Sequence, residues 1–187
     1  VMGIVNVTPD SFADGGHHLT TEAAIAHCER LCEEGADILD IGGESTRPGA
    51  AEVAVAEEIA RTAPVIAALR AGGLDVPISI DTRKAAVAEA AFAAGATVLN
   101  DVTALGFDPD MAGFAARQGC PVILMHSPAS PETMQDDPRY DDVLLDVYDA
   151  LKARLALAEA AGIARRNLAV DPGIGFGKTL SHNLALL

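Results

Sequence analysis

Six times along the chain an apolar, β-favouring run gives way to a helical pattern, with about thirty residues to each unit. Strands that recur with a helix between them must run parallel, because each helix carries the chain back to the same end of the sheet. The strand runs are residues 4–7, 37–41, 77–81, 97–101, 121–126 and 168–171. Helical spacing joins Ile25, Cys28, Leu31 and Cys32, with Gly35 as a stop. It also joins Ile59, Ala63, Ile66 and Leu69, with a kink or restart expected at Pro64 and a stop at Gly72 and Gly73. Residues 84–94 form an alanine-rich helix stopped by Gly95, and residues 108–118 a short one. Leu144, Val147, Tyr148, Leu151 and Leu155 mark a fifth helix ending at Gly162, and residues 184–187 open a sixth.

The polar residues decide between the two ways of arranging such units. Asn6, Asp40 with Glu44, Asp81, Asn100 with Asp101, His126 and Asp171 each lie at or near the C-terminal end of a strand run. An open, doubly wound sheet engages a ligand at only some strand ends, whereas a closed ring brings every βα loop to one mouth. The pattern therefore predicts an α/β protein of the TIM (β/α)8 barrel type, with six βα units present. A complete barrel needs about 250 residues. Residues 1–187 thus read as a single barrel domain lacking its last two βα units and a few N-terminal residues. Six strands alone would leave two apolar edges open to pairing.

Half the residues are hydrophobic and 21% charged, which excludes a disordered or fibrous chain. With 13 Lys and Arg against 27 Asp and Glu, the formal net charge is −14, so nucleic acid and anionic membrane are not expected as partners. An anionic ligand would need a local basic pocket. Three cysteines cannot pair completely, and Cys28 and Cys32, one helical turn apart among apolar residues, are expected as buried free thiols, implying a reducing, cytoplasmic setting. No apolar run reaches the ~18 residues of a membrane span, and no signal-peptide pattern occurs.

Three stretches carry chemistry. After the run at 37–41, Gly42 and Gly43 open a loop with Glu44, Ser45, Thr46 and Arg47, a carboxylate, two hydroxyls and a guanidinium that suit a ligand better than a turn. Arg47 is the best candidate for holding an anion. Residues 171–179 approach a phosphate-binding Gly-x4-Gly-Lys-Thr loop, but Pro172 stands at the first glycine and nucleotide hydrolysis is the weaker reading. Asp171 then either faces the N–H donors of a ligand or caps the next helix. Asp81 and Asn100 end adjacent strands, and either receive the amidine-like edge of a heterocycle or bond one another for structure alone. His126 reads as hydrogen-bonded rather than as an acid or base, and His17, His18, His27 and His182 as surface or packing residues. Asn6 could give a neutral oxygen to a Mg²⁺ held mostly by phosphate and water.

Taken together, residues 2–12 (MGIVNVTPDSF), 40–49 (DIGGESTRPG), 79–82 (SIDT), Asn100 with Asp101, Met125 with His126, and 171–178 (DPGIGFGK) resemble the dihydropteroate synthase family, across the whole chain. The resemblance implies an enzyme of folate biosynthesis that joins 6-hydroxymethyl-7,8-dihydropterin diphosphate to 4-aminobenzoate, releasing diphosphate, with Mg²⁺. It implies that Asp81, Asn100 and Asp171 hold the pterin, with Val102, Met125 and Phe176 as apolar walls. By the same resemblance Asn6 is the metal ligand, Thr46 and Arg47 lie in the second loop, and Phe12 and Asp14 lie in the first loop beside the aminobenzoate. Asp14 and Arg47 carry the catalytic roles. Sulfonamides would compete for the aminobenzoate site, and a homodimer through the outer helices is the family habit.

Departures from the family matter. Its seventh strand supplies a lysine and a serine, and its eighth an arginine and a histidine; none of these is in the sequence, so the 187 residues alone are expected to be inactive. Ser127 stands where a second methionine is frequent. A pterin-binding methyltransferase domain and a catalytically silent pterin-binding homologue are the competing functions. An aldolase-type barrel is disfavoured, because Lys84 and Lys178 are read in or beyond loops rather than at strand ends.

Overall fold

A computed structural model describes residues 1–8, 16–45, 50–128 and 138–187. Strands and helices alternate: β1 (Met2–Asn6), α1 (Gly16–Glu33), β2 (Ile38–Gly42), α2 (Val55–Ala71), β3 (Ile78–Asp81), α3 (Ala85–Ala94), β4 (Val98–Asp101), α4 (Met111–Gln118), β5 (Val122–Met125), α5 (Val143–Ala160), β6 (Leu168–Asp171) and α6 (Leu180–Leu186). The chain divides into two compact units, one made of Val1–Ser45 with Glu52–Asn100 and the other centred on Asp101–Leu187.

In the first unit β1, β2, β3 and β4 pair in chain order and all in parallel. Val5, Leu39, Ile41, Ile78, Ile80 and Leu99 are fully buried on these strands, and Val65, Ile66, Val87, Ala88 and Ala91 are fully buried on the helices. Strands buried on both faces need continuous apolar sequence, and β2 and β3 have it except where Asp40, Ser79 and Asp81 interrupt. The register sets the ends level: Asn6 pairs with Gly42, Gly42 with Asp81, and Asp81 with Asn100.

Helix α2 does not restart at Pro64, for it runs on through that residue. Proline removes one N–H from the ladder, but Thr62, Val65, Ile66 and Leu69 are buried around it and hold the turn in place. Helix α1 likewise starts earlier than its apolar spacing suggested. Helix α3 ends on Gly95, at φ 115°, where Arg70 lies across the end. The Arg70 guanidinium donates to Gly95 O (2.9 Å), Leu74 O (2.6 Å) and Val76 O (2.8 Å), so one side chain satisfies carbonyls at the ends of both α2 and α3.

In the second unit β5 and β6 are parallel, Met125 opposite Asp171. Met111, Phe114, Val122, Leu124, Met125, Val147, Leu151 and Ile163 form its core. Asp142 caps α5, accepting from Leu144 N and Leu145 N. Cys28 is a buried free thiol as expected, whereas Cys32, one turn further along α1, is free but only half-buried; Cys120 is also a buried free thiol. Burial pushes the Cys28 thiol up to about 12, where it is inert. Among the described residues no helix is long and apolar enough to cross a membrane.

Candidate active site

The strand ends of the first unit form a row of Asn6, Gly42, Asp81 and Asn100, each about 4.8 Å from the next as parallel pairing requires. Gly42 leaves the row open, since a Cβ there would sit 3.4 Å from an Asp81 carboxylate oxygen. The Asn100 amide donates through Nδ2 to Asp40 Oδ2 at 3.0 Å, which leaves its own oxygen as an acceptor. Asp40 is buried, and that burial raises its pKa against the bond from Asn100. The sequence set Asp40 among the strand-end polar residues but assigned it no role toward Asn100; its signal was a carboxylate inside the otherwise apolar run ILDIG.

Beneath this row lies a buried ion-pair cluster. Lys84 Nζ donates to Glu44 Oε2 (2.6 Å), Glu58 Oε2 (2.7 Å) and Val53 O (2.5 Å), using all three of its protons. Arg83 Nε reaches the other Glu44 oxygen at 2.8 Å, Val53 N donates to Glu44 at 2.7 Å, and Thr82 Oγ1 donates to Glu58 at 2.6 Å. Burial alone would raise the Glu44 pKa, but the bonds from Lys84, Val53 N and Arg83 outweigh it and hold the carboxyl low. Burial would lower Lys84, and its two carboxylates outweigh that in turn. Glu44 is therefore not presented to a ligand, as its loop composition suggested; it joins Ser45's side of the loop to Val53 on the other. Thr46 and Arg47, with Phe12 and Asp14, lie outside the described residues.

The second unit carries the remaining predicted contacts. Val102 and Met125 are buried, and Asp171 and Phe176 are half-buried. Asp101, buried, accepts from Thr103 N (2.8 Å), Thr103 Oγ1 (2.7 Å) and Leu105 N (3.0 Å). It thereby shapes the turn that bears Val102 and that holds Ala104 and Leu105 at positive φ. Asp171 caps no helix: its Oδ1 accepts from Gly173 N at 2.7 Å, closing a turn at the end of β6.

The loop after Asp171 is not a phosphate cradle. Lys178 is 4% exposed and points back into its own loop, donating to Gly173 O and Phe176 O, each at 2.9 Å, and lying 3.1 Å from His126 Nδ1. Carbonyls turned inward onto a lysine replace the N–H groups that would hold a phosphate. Burial, reinforced by the Lys178 charge, lowers His126 to about 4, so its imidazole is neutral and accepts from Lys178. His126 is hydrogen-bonded, as expected. Lys178 and Tyr140, whose hydroxyl donates to Gly177 O at 2.8 Å, had no assigned role from sequence, since neither lies at a strand end.

No group of three or more His, Cys, Asp and Glu among the described residues could hold a metal ion. Asn6 is exposed at the end of β1 and offers one neutral amide oxygen.

A family model described as pterin binding enzyme matches residues 2–187. The chain is 55% identical, over its whole length, to a probable bifunctional folylpolyglutamate synthase/dihydropteroate synthase of Haloferax volcanii, covering 22% of that protein. It is 49% identical to a dihydropteroate synthase of Escherichia coli, covering 66% of it. The crystal structure of Xanthomonas albilineans dihydropteroate synthase with 4-aminobenzoic acid matches 99% of this chain at 54% identity and a TM-score of 0.91, with 65% of its own chain covered. This chain thus spans just under two thirds of such single-function relatives. The barrel class expected from the strand–helix alternation is the class of these structures.

Proposed function

The chain belongs to the pterin binding enzyme family, and from that membership we propose that it serves a dihydropteroate synthase, joining 6-hydroxymethyl-7,8-dihydropterin diphosphate to 4-aminobenzoate with release of diphosphate. One observation carries the reading: the level row of strand ends in which Asp81 and Asn100 are register partners and Asp40 takes the Asn100 amide N–H, leaving the amide oxygen as an acceptor. A pterin presents a flat edge of ring N–H and amino donors, which calls for carboxylate and amide oxygens at fixed spacing. By the family resemblance, Asp171 would offer the pterin a further acceptor, and Val102, Met125 and Phe176 would offer apolar faces. A bound 4-aminobenzoate in the Xanthomonas relative supports the second substrate.

Bond changes follow from the substrates. The bond from the exocyclic methylene to the diphosphate oxygen breaks, its electron pair leaving on the diphosphate, and positive charge develops on the methylene carbon. The Asp14 carboxylate would stabilise that charge while Thr46 and Arg47 hold the departing anion, and Phe12 would line the aminobenzoate side. The lone pair of the arylamine closes the new carbon–nitrogen bond, and the nitrogen then loses a proton. Mg²⁺, when bound, would neutralise the diphosphate. Asn6 fits that ion as one neutral oxygen in a shell otherwise made of diphosphate and water. A homodimer belongs to the same reading.

Calorimetry on the protein tests it. Pterin diphosphate is expected to bind alone, 4-aminobenzoate only in the presence of pterin diphosphate or diphosphate, and a sulfonamide in competition with 4-aminobenzoate. Failure to bind the pterin overturns the family-based reading. In a form extended through the family's seventh and eighth βα units, pterin binding without formation of dihydropteroate identifies a silent homologue instead.

A further inference from the structure

Three left-handed glycines, Gly173, Gly175 and Gly177, follow β6 in close succession, at φ 69°, 86° and 58°. Glycines have no intrinsic preference for one turn, so such a segment keeps a single shape only if something outside its backbone imposes it. Here the imposed contacts converge on one atom. Lys178 Nζ lies 2.9 Å from Gly173 O, 2.9 Å from Phe176 O, 3.1 Å from His126 Nδ1 and 3.5 Å from His126 O. Two of these acceptors belong to the loop and two to His126, the residue just after β5. The loop is also pressed onto that residue, for a Cβ at Gly173 would meet His126 O at 2.1 Å.

We infer that Lys178 is a positioning residue for the pterin: its ammonium clamps the turn after β6 to His126 and so holds Phe176 and Asp171 where the ring requires them. The inference rests on the pterin reading above. Enclosing an ammonium is costly unless its protons are all taken, and Gly173 O, Phe176 O and His126 Nδ1 take them. Burial draws Lys178 down to about 8, with Asp171 opposing, so it keeps its donors at neutral pH. His126 stays neutral over the same range and can only accept from it. Neither group is left for proton transfer, which separates this role from acid–base catalysis.

Lys178→Met keeps the length of the side chain and removes its donors. In the ligand-free protein, hydrogen exchange at the amides of residues 173–177 is expected to rise roughly tenfold or more, the effect of losing bonds to a charged donor, while the amides of β2 and β3 keep their protection. In turnover by a form extended through the family's seventh and eighth βα units, KM for pterin diphosphate is expected to rise by a similar factor with kcat changed far less, and Lys178→Arg to recover part of the loss. His126→Leu removes one acceptor, and is expected to give a smaller effect of the same pattern. Unchanged exchange in the loop, or a uniform rise across the protein with no KM effect in either variant, overturns the clamp. If Lys178→Met does not fold, His126→Leu decides the question by the same two readouts. Because exchange is read without ligand, failure of the wild-type protein to bind pterin overturns the functional reading while leaving the clamp itself measurable.

Discussion

Lys84 shows how one buried charge can be held stable. It is 3% exposed and reaches two carboxylates and a carbonyl within 2.7 Å, while Glu44 is drawn to Arg83 and Val53 as well. Removing one partner strands the others, so Lys84→Met is expected to cost about 3–5 kcal/mol of stability, read by urea denaturation at pH 7. Titration of the same group has a definite sign. The folded Glu44 pKa is below its ordinary 4.5, so its contribution is present above that value and is lost as pH falls through the folded one. Lys84 is raised above 10.5, so its contribution is present below that value and is lost as pH rises beyond it. His126 moves the other way from an ordinary base: at about 4 against 6.5, the unfolded chain binds the extra proton between those limits, and stability falls as pH drops through that window. His126→Gln is expected to flatten the slope of stability against pH between 6.5 and 4, and an unaltered slope would remove His126 from the acid limb.

Elements here are ended and joined by glycines whose value differs with surroundings. Gly35 and Gly95 both follow helices and both have positive φ, at 100° and 115°. A Cβ at Gly35 would meet nothing within 4 Å, whereas one at Gly95 would lie 2.6 Å from Arg70 Cγ and displace a side chain that serves three carbonyls. Gly35→Ala is therefore expected to cost about 1–2 kcal/mol from backbone strain alone, and Gly95→Ala about 2–4 kcal/mol, strain plus lost hydrogen bonds. Thermal denaturation of the two variants side by side measures the difference. Gly43 is tight without a special φ: its Cβ would lie 2.9 Å from Thr62 Cγ2 and 3.1 Å from Glu58 O, which brings the loop after β2 against α2. Most of the elements themselves were legible, because a strand in a parallel sheet and a helix outside it differ in local apolar spacing. That α2 continues through Pro64 was not legible for the opposite reason: burial of Val65, Ile66 and Leu69 outweighs one missing hydrogen bond, and burial is not a local property.

Over the whole chain the charge is −14, far from the balance at which a compact state repels itself least. Screening that repulsion is expected to stabilise the protein: raising salt from roughly 0.05 to 0.3 M shortens the Debye length to within side-chain reach. A gain on the order of 1 kcal/mol corresponds to about 2–4 °C in Tm for a chain of this size, measured by scanning calorimetry. A fall in Tm would show that the buried pairs, not the net charge, dominate the salt response. The sequence alone determined the alternation, the direction of the strands and which residues end them, Asp81, Asn100 and Asp171 among them, because period and position are written in consecutive residues. Tertiary structure decided which charges are spent: Glu44, read as a ligand group in its loop, meets Lys84 across 40 residues, and Lys178, read in a phosphate loop, meets His126 across 52. Those pairings depend on how strands stack and loops turn back, and a chain read in order does not reveal which distant charge will be waiting.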